Sequence, residues 1–129
     1  MKYYITNTIK NVNIEEAESI VTEKLKEQGF GVATEIDMKN TLKNKIDIDF
    51  RPYKILGACN PKFAYEALSK EDKIGVLLPC NVCLQQSGEN DVEVFAVNPL
   101  VAMEAVGSKA IEKLAEEIYK RINTVIETL

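Results

Sequence analysis

The sequence lacks the residues on which several common enzyme mechanisms depend. It contains no histidine, which excludes the Ser-His-Asp triad, the Cys-His dyad and any general base built on imidazole. It contains no tryptophan, and aromatic residues make up only 7% of the chain, which argues against platforms that stack on nucleic-acid bases. Cysteine is also sparse. The chain has three cysteines, Cys59, Cys80 and Cys83. This odd number is not typical of a secreted, disulfide-bonded domain.

Long apolar runs and an excess of positive charge are missing as well. The longest apolar stretch, Ile74 to Leu84, is interrupted by Pro79 and Asn81 and is much shorter than the roughly 20 residues of a membrane-spanning helix. The net charge is −4, whereas nucleic-acid binding normally needs a basic face. The first residues lack the apolar segment of a signal peptide. We therefore expect a cytoplasmic protein with reduced thiols that binds neither nucleic acid nor membranes.

The composition that is present indicates one folded domain over residues 1–129. The chain is 46% hydrophobic and 28% charged, which is ordinary for a folded domain of this length. Strand and helix patterns are interspersed along it, with about five strands, so we expect an α+β fold. The predicted strands are 2–10, 31–37, 53–59, 74–86 and 92–97, and helices are predicted after Asn13, after Asn60 and within 98–129, with a short exposed helix or ordered loop at 38–46.

The clearest amphipathic pattern belongs to the final helix, residues 108–129. Its apolar residues recur at helical spacing, and we expect them to cover the sheet. The run Tyr119-Lys120-Arg121 is interpreted as part of the solvent-facing side. The residues of the apolar stripe include Ile111, Leu114, Ile118 and Ile122.

Two strand-to-helix junctions share a sequence pattern. Asn60 and Asn98 are each followed by proline and then, at the same offset, by Ala-x-Glu-Ala. Asparagine is a favourable helix cap and proline suits the first helical position, so shared capping explains part of the pattern. The alternative is a strand–helix pseudo-repeat, in which two helix N-termini open on one side of the sheet and attract an anion.

Cys59 and Cys80 are the residues most suited to chemistry. Cys59 directly precedes the Asn60 cap, where a helix N-terminus can lower the pKa of a thiol. Cys80 follows the apolar alternation of its strand, which predicts a buried, protonated thiol. If these two strands pair in parallel through the helix between them, the two thiols lie close together. Cys83 falls on the opposite strand face from Cys80, which weakens a Cys-x-x-Cys motif.

Three further residues complete the candidate set. Arg51 is able to hold an anion or a carboxylate through two hydrogen bonds, although a surface ion pair is the alternative. Gly57, inside a strand, indicates a bulge or a close backbone approach. Asn81 follows Cys80 as Asn60 follows Cys59. The candidate ligand-binding residues are therefore Arg51, Cys59, Asn60, Cys80 and Asn81.

A resemblance to a known family is carried by two runs of sequence. They read Asp49-Phe50-Arg51-Pro52-Tyr53-Lys54-Ile55-Leu56-Gly57-Ala58-Cys59-Asn60-Pro61 and Leu77-Leu78-Pro79-Cys80-Asn81-Val82. They resemble the family called "domain of unknown function 302", and the similarity extends over nearly the whole chain. The resemblance implies a two-layer fold, similar to half of the TATA-binding protein, with helices on one face of a curved and largely antiparallel sheet. It also implies a homodimer, but no established activity.

Three functions fit these residues. The favoured one is a small homodimeric module that binds a soft metal ion or a small anion near Cys59 and Cys80, with these two cysteines as candidate metal ligands. The second is a thiol-based enzyme or redox sensor that uses Cys59. The third is a structural or partner-binding domain with inert, buried thiols. The sequence identifies no substrate, cofactor or catalytic residue.

Overall fold

A computed structural model describes all 129 residues and contains a five-stranded antiparallel sheet in the order β1-β5-β4-β3-β2. Two 3₁₀ segments, 72–77 and 104–106, lie between the regular elements. The α+β fold with five strands, predicted from the sequence, is confirmed. The elements are β1 (Tyr4–Lys10), α1 (Ile14–Glu27), β2 (Gly31–Asp37), α2 (Met38–Ile46), β3 (Tyr53–Cys59), α3 (Pro61–Lys70), β4 (Cys80–Gly88), β5 (Asp91–Val97), α4 (Pro99–Ala102) and α5 (Lys109–Glu127).

The hydrophobic core lies between one face of the sheet and the helices α1 and α5. Alternate residues of the central strands are buried, as the two-residue period of a strand requires. The predicted stripe of α5 faces this layer, since each of its four residues is at most 5% exposed. The buried strand residues that define the face are Leu56, Ala58, Val82, Leu84, Val92, Val94 and Ala96.

Local sequence sets the limits of the helices. The side chain of Asn13 accepts a hydrogen bond from the backbone N–H of Glu16, and the Glu16 side chain accepts one from the backbone of Asn13, which completes the capping box. Gly29 follows α1 with a φ of 85°, the left-handed conformation that glycine adopts without strain. Residues 38–46 form the helix α2, which has no buried residue. None of the helices combines the length and apolar character needed to cross a membrane.

The fourth strand starts later than the sequence indicated. The prediction of a strand from Ile74 to Gln86 is wrong for its first part, because residues 72–77 form a 3₁₀ segment and β4 begins at Cys80. Ile74 is only 1% exposed, so its apolar character reflects core packing rather than extended backbone. Pro79 precedes the ladder instead of interrupting it, as expected for a residue that has no N–H to donate.

The strands β3 and β4 are antiparallel, so the parallel pairing considered in the sequence analysis is also wrong. The helix α3 and the 3₁₀ segment return the chain to the end of the sheet where β3 finished. In the resulting register Ala58 faces Cys80 and Leu56 faces Val82. The last residue of β3 and the first residue of β4 therefore lie at the same end of the sheet.

The two Asn-Pro junctions resemble each other only at the cap. Asn60 and Asn98 both accept a hydrogen bond from the first turn of the following helix, and proline is the first residue of both helices. However, α3 has 10 residues and α4 has only four. Shared capping chemistry therefore explains the repeated sequence better than a repeated strand–helix unit does.

Candidate functional site

An apolar cavity of about 320 Å³ lies where β3 ends and β4 begins. Eleven of its 14 lining residues are hydrophobic. Its walls come from the segment 30–34, the β3–α3 junction, the face of α3, the residues before β4, and Ile118 of α5. Four separate parts of the chain, residues 30–34, 58–68, 78–80 and 118, thus line one space.

Cys59 and Cys80 both line this cavity. They come together because Ala58, the neighbour of Cys59, is the register partner of Cys80. The side chain of Cys80 is 5% exposed, and burial, together with the nearby Cys59, raises the pKa of its thiol to about 11. Cys59 is only half-buried. Cys80 is therefore a buried thiol that is protonated at neutral pH. Cys59 is the more accessible of the two.

Asn60 lines the same cavity and also fixes the start of α3. Its side-chain oxygen accepts a hydrogen bond from the backbone N–H of Phe63 at 3.4 Å. Its Nδ2 donates to the carbonyl oxygen of Gln28, at the end of α1, over 3.5 Å. One side chain thus links the cavity wall to two helices.

Arg51 and Asn81 are not part of this cavity. Arg51 lies at a separate depression, where its Nε donates to Oε1 of Gln85 at 2.8 Å and its guanidinium lies 4.4 Å from the centre of the Phe50 ring. Asn81 is exposed and pairs in register with Gly57. Of the five candidate residues, the structure brings together Cys59, Asn60 and Cys80 only.

Cys83 lies on the face of the sheet opposite to Cys80, as strand alternation predicted. It is half-buried next to Tyr53. Burial raises the pKa of the Cys83 thiol, while a hydrogen bond with Tyr53 acts in the opposite direction. The Cys-x-x-Cys spacing therefore does not correspond to a shared site.

Because Gly57 has no side chain, the side chains of Thr34 and Pro79 approach its backbone closely at the edge of the cavity. A Cβ atom at this position would collide with Oγ1 of Thr34 and lie only 2.7 Å from Cγ of Pro79. Both of these neighbours line the cavity. The close approach that the sequence indicated for Gly57 is therefore confirmed, and it determines how tightly two of the walls meet β3.

A second, polar cavity adjoins the first. This cationic groove, of about 650 Å³, lies between α3 and α5 and shares Asn60 and Phe63 with the apolar cavity. Arg121 extends over Phe63 with its guanidinium 5.2 Å from the ring centre, and its Nη1 donates to the Gln28 carbonyl at 3.1 Å. The cationic side chains that line the groove are Lys62, Lys70, Lys113 and Arg121.

Sequence patterns missed the contributions of Phe63 and Arg121. The run Tyr119-Lys120-Arg121 indicates the solvent-facing side of α5, whereas the structure places Arg121 over Phe63. A usable signal was its position three residues after Ile118, which places it on the border of the apolar stripe of α5.

The donor set around the two thiols is small. No group of three or more His, Cys, Asp or Glu side chains is arranged to hold a metal ion. Cys59 and Cys80 together would supply two of the four ligands of a tetrahedral zinc site.

The fold and its cavities define a two-layer α+β protein with helices on one face of a five-stranded antiparallel sheet. The model of the family "Domain of unknown function DUF302" matches residues 5–129, and the chain belongs to this family. The structure is similar to the crystal structure of an uncharacterised conserved DUF302 protein from Bacillus stearothermophilus, with a TM-score of 0.89 and 25% sequence identity over 98% of both chains. No curated protein matches the chain in sequence.

Proposed function

We propose that this protein is a binding module for a small, largely apolar molecule, which occupies the cavity between the ends of β3 and β4 and the helix α3. The observation that carries the proposal is the lining of that cavity, which is hydrophobic at 11 of 14 positions. Its volume of about 320 Å³ falls within the usual range of ligand pockets, which combine apolar walls with a few polar groups. Asn60 and Thr34 supply the polar side chains here, beside the weakly polar thiol of Cys59.

The same lining argues against a small inorganic anion or a soft metal ion as the occupant of the cavity. An anion would lose its hydration without gaining a charged partner among the lining residues. A thiophilic metal binds thiolates, and burial raises the pKa of the Cys80 thiol to about 11, which makes its proton harder to displace. Metal binding would require the loss of the Cys80 proton, and only two protein ligands would stabilise the bound ion.

The binding of a neutral, fluorescent apolar compound tests the proposal. N-phenyl-1-naphthylamine should bind the wild-type chain with a rise in fluorescence. Ala64 of α3 lines the cavity, so the Ala64→Phe variant should fill it and weaken binding at least about tenfold. The matched control is Ala105→Phe, at an exposed position of the second 3₁₀ segment, and it should bind like the wild type.

Two results would overturn the proposal: no binding by the wild type, or equal binding by the wild type and a folded Ala64→Phe variant. If Ala64→Phe does not fold, Ala33→Phe fills the same cavity from an exposed position on β2. The alternative functions have their own signatures in thiol titrations. Protection of Cys59 by zinc would favour a metal site, and rapid reaction of Cys59 near neutral pH would favour thiol chemistry.

A further inference from the structure

We propose that the molecule held in the apolar cavity carries an anionic group at one end, and that this group is bound in the cationic groove by Arg121 and the neighbouring lysines. The inference rests on the proposed function, because the apolar part of the ligand would occupy the cavity described above. The ligand class is then an anionic amphiphile, such as a carboxylate with an alkyl or aryl tail.

The apolar cavity and the cationic groove are continuous. The apolar cavity and the cationic groove share two lining residues, Asn60 and Phe63. Phe63 is the hydrophobic boundary, and the Arg121 guanidinium lies 5.2 Å from the centre of its ring. A ligand that fills the cavity and extends past Phe63 therefore meets a positive charge at once.

The cationic groove carries positive charge that is not paired within the protein. The protein as a whole has a net charge of −4, but four cationic and only two acidic side chains line the groove. None of the four cations is part of an ion pair in the structure. Of the two carboxylates, Glu117 lies 3.6 Å from Lys120, a residue that does not line the groove. Glu66 lies one helical turn from both Lys62 and Lys70.

Arg121 is held in a fixed position by two contacts. Its Nη1 donates to the Gln28 carbonyl at 3.1 Å and its guanidinium packs over Phe63. A guanidinium held by one nitrogen still offers its other N–H groups to a carboxylate. The N-terminus of α3, capped by Asn60, contributes partial positive charge at the boundary between the two spaces.

The size of the cavity limits the tail. Its volume of about 320 Å³ is roughly twice that of an apolar cavity of ~150 Å³ that binds benzene. An alkyl tail of medium length fits such a space, whereas the long tail of a membrane lipid would extend out of it. We therefore use octanoate as the test compound and 1-octanol as its neutral counterpart.

The experiment measures how each compound displaces N-phenyl-1-naphthylamine from the folded protein. We expect octanoate to displace it at a concentration about tenfold lower than 1-octanol. The preference should decrease as salt screens the groove. Arg121→Gln and Lys113→Gln should each remove most of the preference. The binding of 1-octanol and of the fluorescent compound should stay unchanged in Lys113→Gln, because Lys113 lines the groove and not the apolar cavity.

The control variant is Lys45→Gln on α2, which makes the same change of charge at an exposed site outside both spaces. It should keep the preference for octanoate. Equal displacement by octanoate and 1-octanol in the wild type would overturn this inference and leave the proposed function standing. Failure of the fluorescent compound to bind would overturn the proposed function itself. Loss of the preference in Lys45→Gln to the same extent as in Lys113→Gln would show a general charge effect and reject the groove.

Discussion

Cys59 and Cys80 illustrate how two residues at adjoining strand ends acquire different chemistry. Cys80 points into the core from the first position of β4 and is 5% exposed, whereas Cys59 is half-buried at the end of β3. Burial penalises the thiolate form of Cys80 and raises its pKa to about 11. We expect alkylating reagents to modify Cys59 before Cys80, which mass spectrometry of peptides after partial alkylation would show.

The raised pKa of Cys80 predicts a loss of stability in alkaline solution. An unfolded chain releases the thiol proton near the ordinary pKa of 9.0, but the folded chain holds it until about pH 11. The contribution is therefore fully present below pH 9 and is lost as the pH rises to 11, by about 3 kcal/mol. Urea unfolding of the wild type and of Cys80→Ala at pH 8 and pH 11 measures it. The difference in unfolding free energy between the two proteins should shrink at pH 11, and a constant difference would contradict the prediction.

Gly57 is a second position at which a single added carbon atom should change the free energy of unfolding. Gly57→Ala places a methyl group against Oγ1 of Thr34 and Cγ of Pro79, so we expect a loss of about 1–3 kcal/mol in the free energy of unfolding. Gly31→Ala is the matched control, because nothing lies within 4 Å of the added methyl group. Adding Thr34→Ala to Gly57→Ala should restore part of the loss. Equal stability of Gly57→Ala and Gly31→Ala would show that Thr34 and Pro79 move aside without a loss of stability.

Among the elements, α5 contributes most clearly to the core. Its stripe is buried against the sheet along its length, and Ile118 also closes one side of the apolar cavity. We expect Ile118→Ala to lower the free energy of unfolding by about 2–5 kcal/mol. Lys120→Ala, at an exposed position on the same helix, should change it little. An unchanged denaturation midpoint for Ile118→Ala would contradict the packing described here.

Elements with strong local signals were predictable from the sequence. The range of β3, the cap at Asn13 and the left-handed Gly29 follow from the residues themselves. The start of β4 was not predictable, because an apolar residue such as Ile74 is equally suited to a buried 3₁₀ segment and to a strand. The antiparallel pairing of β3 and β4 depends on where that segment sends the chain, which no local pattern encodes.

The candidate site was only partly predictable for the same reason. Cys59 and Asn60 are neighbours in sequence at a strand-to-helix junction, so their proximity was certain. The cavity walls contributed by Phe30 and Ile118 belong to distant elements, and only the packing of those elements reveals an enclosed space. The guanidinium of Arg51 is suited to an anion or a carboxylate, but its side chain lies on the other face of the sheet, where it donates to Gln85.

For the whole molecule, the face of the sheet opposite to α1 and α5 is the surface through which we expect self-association. Tyr53 and Phe95 lie on this face with their ring centres 5.9 Å apart, and Ile36 is 46% exposed. Aromatic residues are enriched in protein interfaces. We expect the chain to form the homodimer implied by the family resemblance through this face, with a mass by light scattering of about twice 14.5 kDa.

Two lysine substitutions test this arrangement. Phe95→Lys should shift the protein to the monomer, because it places a charge in the middle of the proposed interface. Tyr65→Lys, at a 75% exposed position on α3, should leave the dimer intact. A wild-type mass near 14.5 kDa at micromolar concentration would contradict the dimer, and dissociation by Tyr65→Lys alone would place the interface on the helical side.

The position of β1 at one edge of the sheet determines when this strand is able to pair during synthesis of the chain. The strands from β2 to β5 are sheet neighbours in the order of their synthesis, but Tyr4 pairs with Val97. At a translation rate of about 5–20 residues per second, the first strand waits on the order of 5–20 s for its partner. A nascent chain is thus able to add β2 to β5 one by one, while β1 stays unpaired until residue 97 has emerged. A chain stalled before that point exposes both an unpaired N-terminal strand and the edge of β4 that β5 normally covers.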